Sequence, residues 1–172
     1  MTDDGRESMI GRLEKSFSSY YDIERIDDGT ELRMVASFHS RGESYLLTRS
    51  VNLWSVEDHE YVYVFSVGVL DEETFDRCMA SSLKDGTEHI HTSTEHRSST
   101  ITSIFICDSI SHLITKKIKR HTYHRNFKMT LHGWMDHRVA AFGSDTGLIV
   151  TDRLGRDLAE IISRSVGNSD NR

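Results

Sequence analysis

Residues 61–70, YVYVFSVGVL, form the most strand-prone run of the chain, because β-branched and aromatic side chains fill most positions. Upstream, ELRMVASFHS (31–40) alternates apolar and polar side chains, as a strand with one buried face does. YLLTRSVNLWSV (45–56) is predicted as a strand between them, and EDHE (57–60) as the turn before the last run. The pattern therefore predicts a meander of at least three antiparallel strands.

About four helices are predicted from apolar residues that recur at helical spacing. Asp71 is the expected N-cap of the second helix, and Gly86 sits where a C-terminal glycine belongs. Asp108 or Ser109 is expected to cap the third helix, with Leu113 facing inward. The first and last helices are predicted over residues 6–19 and 156–166.

The remaining strands complete an α+β fold, predicted as a mostly antiparallel twisted sheet with about four helices. TITSIFICDS (100–109) is a strand, two more are expected near 126–134 and 138–144, and SDTG makes a hairpin turn into LIVTD. One globular domain is expected over residues 1–172, with the first few residues and 167–172 frayed. The expected core comprises Leu13, Phe17, Met34, Val64, Phe75, Ile104, Ile106, Leu113, Leu131 and Ile161.

A faint internal repeat joins the two halves of the chain. LRMVASFHSRGESYLL (32–47) can be laid on FKMTLHGWMDHRVAAF (127–142), with Met34 over Met129. If this repeat is real, it predicts two pseudo-repeated halves and helices on one face of the sheet.

Charge is distributed unevenly along a chain whose net charge is −6. The segment 112–138 holds seven basic residues and one acid, Asp136, so it carries +6 and the rest carries −12. Such separation is typical of an anion-binding face. The simpler interpretation is a helix whose C-terminus carries cations that the helix dipole favours.

Neither a membrane span nor a secretory leader is expected. The chain has no apolar run of about 18 residues and no charged-then-apolar start. Cys78 and Cys107 fall in a predicted helix and a predicted strand, as two small core residues in a reducing compartment would. We therefore expect a cytoplasmic protein without a membrane partner, and the residues indicate no particular cofactor.

The sequence is unusually rich in histidine, with ten residues. His89, His91 and His96 lie in a predicted loop together with Glu88 and Glu95. Imidazoles with a nearby carboxylate could hold zinc or iron, but a loop without rigid second-shell support holds a metal weakly. No metal site is predicted there.

The stretch GWMDHR (133–138) admits two interpretations. Apolar alternation stops at Trp134 and resumes at Val139, which favours a hairpin turn. In the other interpretation, Asp136 and Arg138 share one face of an extended segment and flank an anion.

That second interpretation defines a candidate pocket. His96, Glu95 and Asp136 are its candidate catalytic residues, with His96 as acid or base. The candidate ligand- or anion-binding residues are Arg138, Trp134, Lys116, Lys119 and Arg120.

Four segments carry a resemblance to a known family. EHRSSTITSIFICD (95–108), LHGWMDHR (131–138), TDRLGRDL (151–158) and FHSRGESYLL (38–47) resemble a family of short uncharacterised proteins of anaerobic archaea and bacteria. The resemblance covers roughly residues 10–160 and implies no activity.

Three functions of different class remain open. The chain has no G-x-x-x-x-G-K, G-x-G-x-x-G, G-x-S-x-G or H-E-x-x-H signature, which favours a non-catalytic interaction or assembly module, with a homodimer or another protein as partner. The second function is a small-molecule or nucleotide-binding enzyme that uses the candidate pocket. The third is nucleic-acid binding through the basic segment 112–138.

Overall fold

The computed structural model describes residues 3–42, 56–90 and 96–167. Four helices and seven strands occur within these ranges. In chain order they are α1 (Asp3–Phe17), β1 (Asp22–Arg25), β2 (Leu32–Gly42), β3 (Val56–Leu70), α2 (Glu72–His89), β4 (His96–Ile110), α3 (His112–Arg120), β5 (His124–Asn126), β6 (Trp134–Gly143), β7 (Leu148–Thr151) and α4 (Arg156–Gly167). A one-turn 3₁₀ helix, Lys128–Thr130, lies between β5 and β6.

The strands form one sheet in the order β1-β2-β3-β4-β6-β5, and β7 also pairs with β6. Four strand pairs are antiparallel, while β4 is parallel to β3 on one side and to β6 on the other. The predicted fold class is confirmed: the protein has an α+β fold with a mostly antiparallel sheet and four helices in the described residues. The parallel centre of the sheet was not predicted.

Helical connections explain why the centre is parallel. The chain passes from β3 to β4 through α2 and from β4 to β6 through α3, as parallel neighbours require. Residues 104–107 of β4, IFIC, are all buried, which is typical of a strand covered on both faces. Ile104 and Ile106 pack with α1 and α4, while Phe105 and Cys107 pack with α2 and α3.

Helices therefore cover both faces of the sheet, and the expectation of helices on one face is wrong. The proposed overlay of the two halves also fails to match equivalent positions. Met34 is fully buried in β2, whereas Met129 is 90% exposed in the 3₁₀ turn. Lys128 and Met129 both adopt positive φ there, at 44° and 53°, a conformation that strand residues do not adopt.

The predicted strand at 126–134 is wrong for the same reason, because the 3₁₀ turn interrupts it. Two predicted core residues, Leu113 and Leu131, are exposed by 68% and 77%. Leu113 lies on the outer side of α3, and Leu131 directly follows the 3₁₀ turn. Ile161 is half-buried, and the other predicted core residues are buried.

The caps of α2 and α3 differ in how well they were predicted. Asp71 caps α2 as expected, accepting a hydrogen bond from the Thr74 backbone N–H at 2.9 Å. Gly86 does not end α2 but lies inside it, where a Cβ would come within 2.6 Å of Ile101 Cδ1. Ser111, and neither Asp108 nor Ser109, caps α3.

Some predictions fall on residues that the structure does not describe. These are the strand at 45–56 apart from Val56, the middle of the histidine-rich loop at 91–95, and the tail at 168–172. The predicted turn at 57–60 is wrong, because these residues lie in β3 and pair with residues 38–41 of β2. The hairpin turn before β7 is confirmed, since Gly143 pairs with Leu148 in antiparallel register.

We expect Ile106→Ala to lower the free energy of unfolding by about 2–5 kcal/mol, because it opens a cavity in a strand buried on both faces. Ile106 is fully buried between Ser66 of β3 and Phe142 of β6. The exposed Leu131→Ala serves as the control and should change it by less than about 0.5 kcal/mol. Chemical denaturation measures both, and equal losses would contradict this placement of the core.

Candidate functional site

A groove of about 710 Å³ separates α2 from α3. Its floor is apolar, and its rims carry charged side chains of both signs. The lining residues are Glu72, Phe75, Asp76, Met79, Ala80, Leu83, Leu113, Lys116, Lys117, Arg120, His121, Thr122, Tyr123 and His137.

The sequence of α3 explains the basic rim. Ile114 and Ile118 are buried against the sheet, so the positions between them point away from it. Lys116 and Arg120 face the groove, whereas Lys119 lies on the same helix outside the groove lining. Of the three predicted anion-binding residues on α3, Lys116 and Arg120 thus line one concave surface and Lys119 does not.

The cations of this rim differ in whether they are paired with a carboxylate. Lys117 Nζ donates to Asp76 at 2.7 Å and to Glu72 at 3.1 Å, and it lies 5.7 Å from the centre of the Phe75 ring. The hydrogen bond to Asp76 raises the pKa of Lys117. Lys116 and Arg120 have no acidic partner within the described part of the chain. These two cations are therefore available to an anionic ligand.

Two imidazoles lie at the base of the groove. His137 is buried, and its Nε2 is 2.9 Å from Ser103 Oγ, which in turn is 2.7 Å from Ser82 Oγ. His121 Nε2 donates to the backbone carbonyl of His137 at 2.9 Å. Burial, reinforced by His121, lowers the pKa of His137 to about 3, so this ring is neutral at physiological pH.

The groove continues along α2 beyond Leu83. A second depression of about 440 Å³ shares Ala80, Leu83 and Tyr123 with it and adds Lys84, Thr87, Glu88 and Arg125. From Glu72 to Glu88, α2 spans about 24 Å at the helical rise. The combined surface, which we call the α2–α3 groove, has five cations and three carboxylates along its edges.

The candidate pocket around GWMDHR is not assembled. Residues 134–138 are the first half of β6, so the expected hairpin turn at this point is wrong. His96 lies on the α2–α3 side of the sheet, where Phe127 packs edge-on at 5.8 Å. Asp136 and Arg138 point to the opposite side, which carries α1 and α4. Glu95 lies outside the described residues.

Both nitrogens of His96 are engaged in hydrogen bonds. Nδ1 donates to the His132 carbonyl at 2.7 Å, and Nε2 lies 2.8 Å from Ser99 Oγ. The side chain is buried, being 3% exposed. This geometry fixes the ring beneath the segment that leads into β6, where the turn at Gly133 leaves no room for a Cβ beside Arg97 O and His96 Nδ1.

Asp136 and Arg138 do share one face, as the alternation predicted, but each has its own partners. Asp136 accepts from His124 Nδ1 at 2.7 Å across the β5–β6 pair, and this hydrogen bond raises the pKa of His124. Trp134, 36% exposed, precedes them on the same face.

Arg138 belongs to a half-buried network of side chains. It forms an ion pair with Glu60, another with Asp157 at 3.0 Å, and donates from Nε to Thr102 Oγ1 at 2.7 Å. The Tyr21 hydroxyl donates to Glu60 at 2.7 Å. Arg138 therefore ties β6 to β3, β4 and α4, and each of its three guanidinium nitrogens already donates to a protein group.

The two cysteine thiols and His89, which the sequence placed in the histidine-rich loop, show no reactive arrangement. Cys78 and Cys107 are buried, and burial raises their pKa values to about 11 and about 12. His89 Nδ1 donates to the Asp85 carbonyl at 2.8 Å, and His91 lies outside the described residues. In the described ranges, no group of three or more His, Cys, Asp or Glu residues is placed to hold a metal ion.

Sequence reasoning missed the floor of the α2–α3 groove. Phe75 is buried, as expected of a core residue, and its edge also lines the groove, whereas Leu113, expected in the core, is exposed beside it. The available signal was the strong amphipathy of the basic helix next to Tyr123 and two histidines, but the separation of α2 from α3 depends on tertiary packing.

Comparison with known proteins shows the family. A family model described as "Domain of unknown function (DUF8052)" matches residues 5–164, so the chain belongs to this family. The organisms expected from the resemblance stay a prediction. Searches of curated proteins and of solved structures find no match. None of the helices in the described ranges has the length and apolar character needed to span a membrane.

We expect Arg138→Met to lower the free energy of unfolding by about 3 kcal/mol, because it leaves the half-buried Glu60 carboxylate without its cation. Asp157→Asn is the control: Asp157 is 61% exposed, so its loss should cost less than about 1 kcal/mol. Urea denaturation distinguishes the two. If the two variants are equally stable, the network does not hold the sheet to α4.

The pKa values of two histidines should be shifted in opposite directions from the ordinary value. His124 should titrate above pH 6.5, whereas His137 should stay neutral down to about pH 3. The His124–Asp136 pair stabilises the fold below pH 6.5, and this contribution is lost as the pH rises through the raised pKa of His124. Burial of neutral His137 costs stability as the pH falls from 6.5 towards 3, because the unfolded chain takes up the proton first.

Imidazole proton shifts followed by NMR measure both pKa values. Asp136→Asn should return His124 towards its ordinary pKa and leave His137 unchanged. A His137 signal that titrates near pH 6.5 would show that the ring is hydrated.

Proposed function

We propose that this protein is a non-catalytic interaction module whose α2–α3 groove binds an acidic amphipathic helix of a partner protein. One observation carries the proposal: an apolar floor runs beside two cations, Lys116 and Arg120, that have no acidic partner among the described residues. The compartment for this interaction is the cytoplasm, as the sequence predicts.

The shape of the groove suits a helix. An amphipathic helix binds a groove through apolar residues at i, i+3, i+4 and i+7. Phe75 and Met79 line the floor but are only 3% and 7% exposed, so half-buried Leu83 and exposed Leu113 of α3 supply most of its accessible apolar surface. A length of about 24 Å accommodates about sixteen helical residues of a partner.

The charges favour a protein partner over a nucleic acid. Glu72, Asp76 and Glu88 edge the groove on its α2 side, where they would repel a phosphate backbone. A helix can place carboxylates towards α3 and neutral or basic side chains towards α2. Tyr123, the aromatic ring shared by both depressions, is half-buried and offers a poor stacking surface for bases.

The imidazoles at the base support binding rather than acid–base catalysis. A general base works best with a pKa near the working pH, whereas burial holds the pKa of His137 at about 3. His121 Nε2 is engaged by a backbone carbonyl.

Fluorescence anisotropy tests the proposal with a labelled eighteen-residue helical peptide, built with leucine at i, i+3, i+4 and i+7, glutamate on the flank that faces α3 and glutamine on the flank that faces α2. We expect saturable binding that weakens with salt. The double variant Lys116→Glu/Arg120→Glu should weaken binding about tenfold or more, equivalent to about 1.4 kcal/mol. Lys119→Glu is the matched control, because it changes charge on the same helix outside the groove, and it should have a much smaller effect.

Three outcomes would overturn the proposal. If Lys119→Glu weakens peptide binding as much as the double variant does, the peptide is attracted to the basic helix in general and does not bind in the groove. Tighter binding of a labelled single-stranded oligonucleotide, lost in the double variant, would establish the nucleic-acid alternative. A stable dimer that dissociates in the double variant, measured by analytical ultracentrifugation, would show that a second copy of the chain occupies the groove.

A further inference from the structure

The strand register places two histidines that are far apart along the chain directly opposite each other. His39 of β2 pairs with His59 of β3 in the antiparallel ladder, and their Nδ1 atoms are 2.8 Å apart. Both side chains point to the α2–α3 side of the sheet, the side of Tyr61 and Tyr63. Neither residue belongs to the histidine-rich loop or to the α2–α3 groove.

The pair has the chemistry of two metal ligands. At this distance one neutral imidazole donates its Nδ1–H to the lone pair of the other. A metal ion takes the place of that hydrogen once the donor ring carries its hydrogen on Nε2 instead, and the ion then accepts both Nδ1 lone pairs. With metal–nitrogen bonds of about 2.0–2.1 Å, tetrahedral ligands are about 3.3 Å apart, so a small opening of the pair admits the ion.

Neighbouring rings hold the two imidazoles in place. Tyr61 packs edge-on against His39 at 5.7 Å, and His59 stacks on His96 at 6.0 Å with an angle of 10° between the rings. His96 is itself fixed by Ser99 and by the His132 carbonyl. Such support keeps ligands oriented before the metal arrives.

We propose that His39 and His59 form a two-ligand site for a divalent transition-metal ion that prefers imidazole, namely Zn²⁺, Ni²⁺ or Cu²⁺. His39 is exposed, so water completes the coordination shell. Asp58 is not a ligand, because it points to the other face and is paired with Arg97 and Ser98. The bound ion joins the end of β2 to the start of β3.

Isothermal titration of the tag-free protein with ZnCl₂ at pH 7.5 tests the site. We expect about one ion per chain. His39→Gln and His59→Gln should each weaken binding about tenfold or more, since even the loss of a second-shell partner costs 10–100-fold. The control His112→Ala removes an exposed histidine at the start of α3 and should leave binding unchanged.

Two further measurements keep the test decisive. Cu²⁺ should bind more tightly than Zn²⁺ and show nitrogen donors in its electron paramagnetic resonance spectrum, whereas Mg²⁺ should not compete. Circular dichroism establishes that each variant is folded, and a misfolded glutamine variant is replaced by asparagine at the same position. The proposal fails if the wild type shows no saturable binding, if both folded variants keep full affinity, or if His112→Ala weakens binding as much as they do.

Discussion

Parallel pairing of β4 with both of its neighbours is the constraint on which the rest of the molecule depends. The chain moves in one direction across the sheet, from β3 to β4 to β6, and each step needs a crossover helix. Crossovers between parallel strands are right-handed, so two steps in the same direction place both helices on the same face. The α2–α3 groove is the direct result, and the opposite face is left for α1 and α4.

On the opposite face, one half-buried side chain, Arg138, holds the charged groups together. Arg138 stands on β6 at the level where the apolar face under α1 and α4 gives way to Glu60, Thr102 and Asp136. A guanidinium can satisfy several acceptors in one plane, which a lysine ammonium cannot do with the same geometry. The residue that the sequence presents as an anion-binding group therefore serves the fold, and Lys116 and Arg120, which have no acidic partner among the described residues, lie on the other side of the sheet.

The elements were predictable where one local pattern decided them. The Asp71 cap, the SDTG hairpin and the inward-facing Leu13 and Phe17 of α1 depend on neighbouring residues, and the structure agrees with these predictions. The hairpin turn predicted at GWMDHR is wrong because the polar side chain of His137 is buried, with a hydrogen-bond partner in Ser103. The burial pattern of this segment is that of an ordinary strand, with Met135, His137 and Val139 inside.

The candidate sites were less predictable, because they depend on register and on helix separation. His39 and His59 are twenty residues apart, and only the β2–β3 pairing shows that they meet. Whether His96 and Asp136 share a pocket depends on which face of the sheet each residue occupies. The bulge at the start of β4, which places His96 opposite Glu57 but Ser98 opposite Asp58, decides the face of His96.

Gly86 allows α2 to lie close to the sheet. The glycine lies in α2 directly above Ile101, where a single methyl group would press on the isoleucine side chain. Leu83 and Thr87, its neighbours along the helix, line the groove on the outer side of α2. The width of the groove is thus set from beneath, by how closely α2 lies on the sheet, so relatives with a larger residue at this position would present a differently shaped surface with the same rim residues.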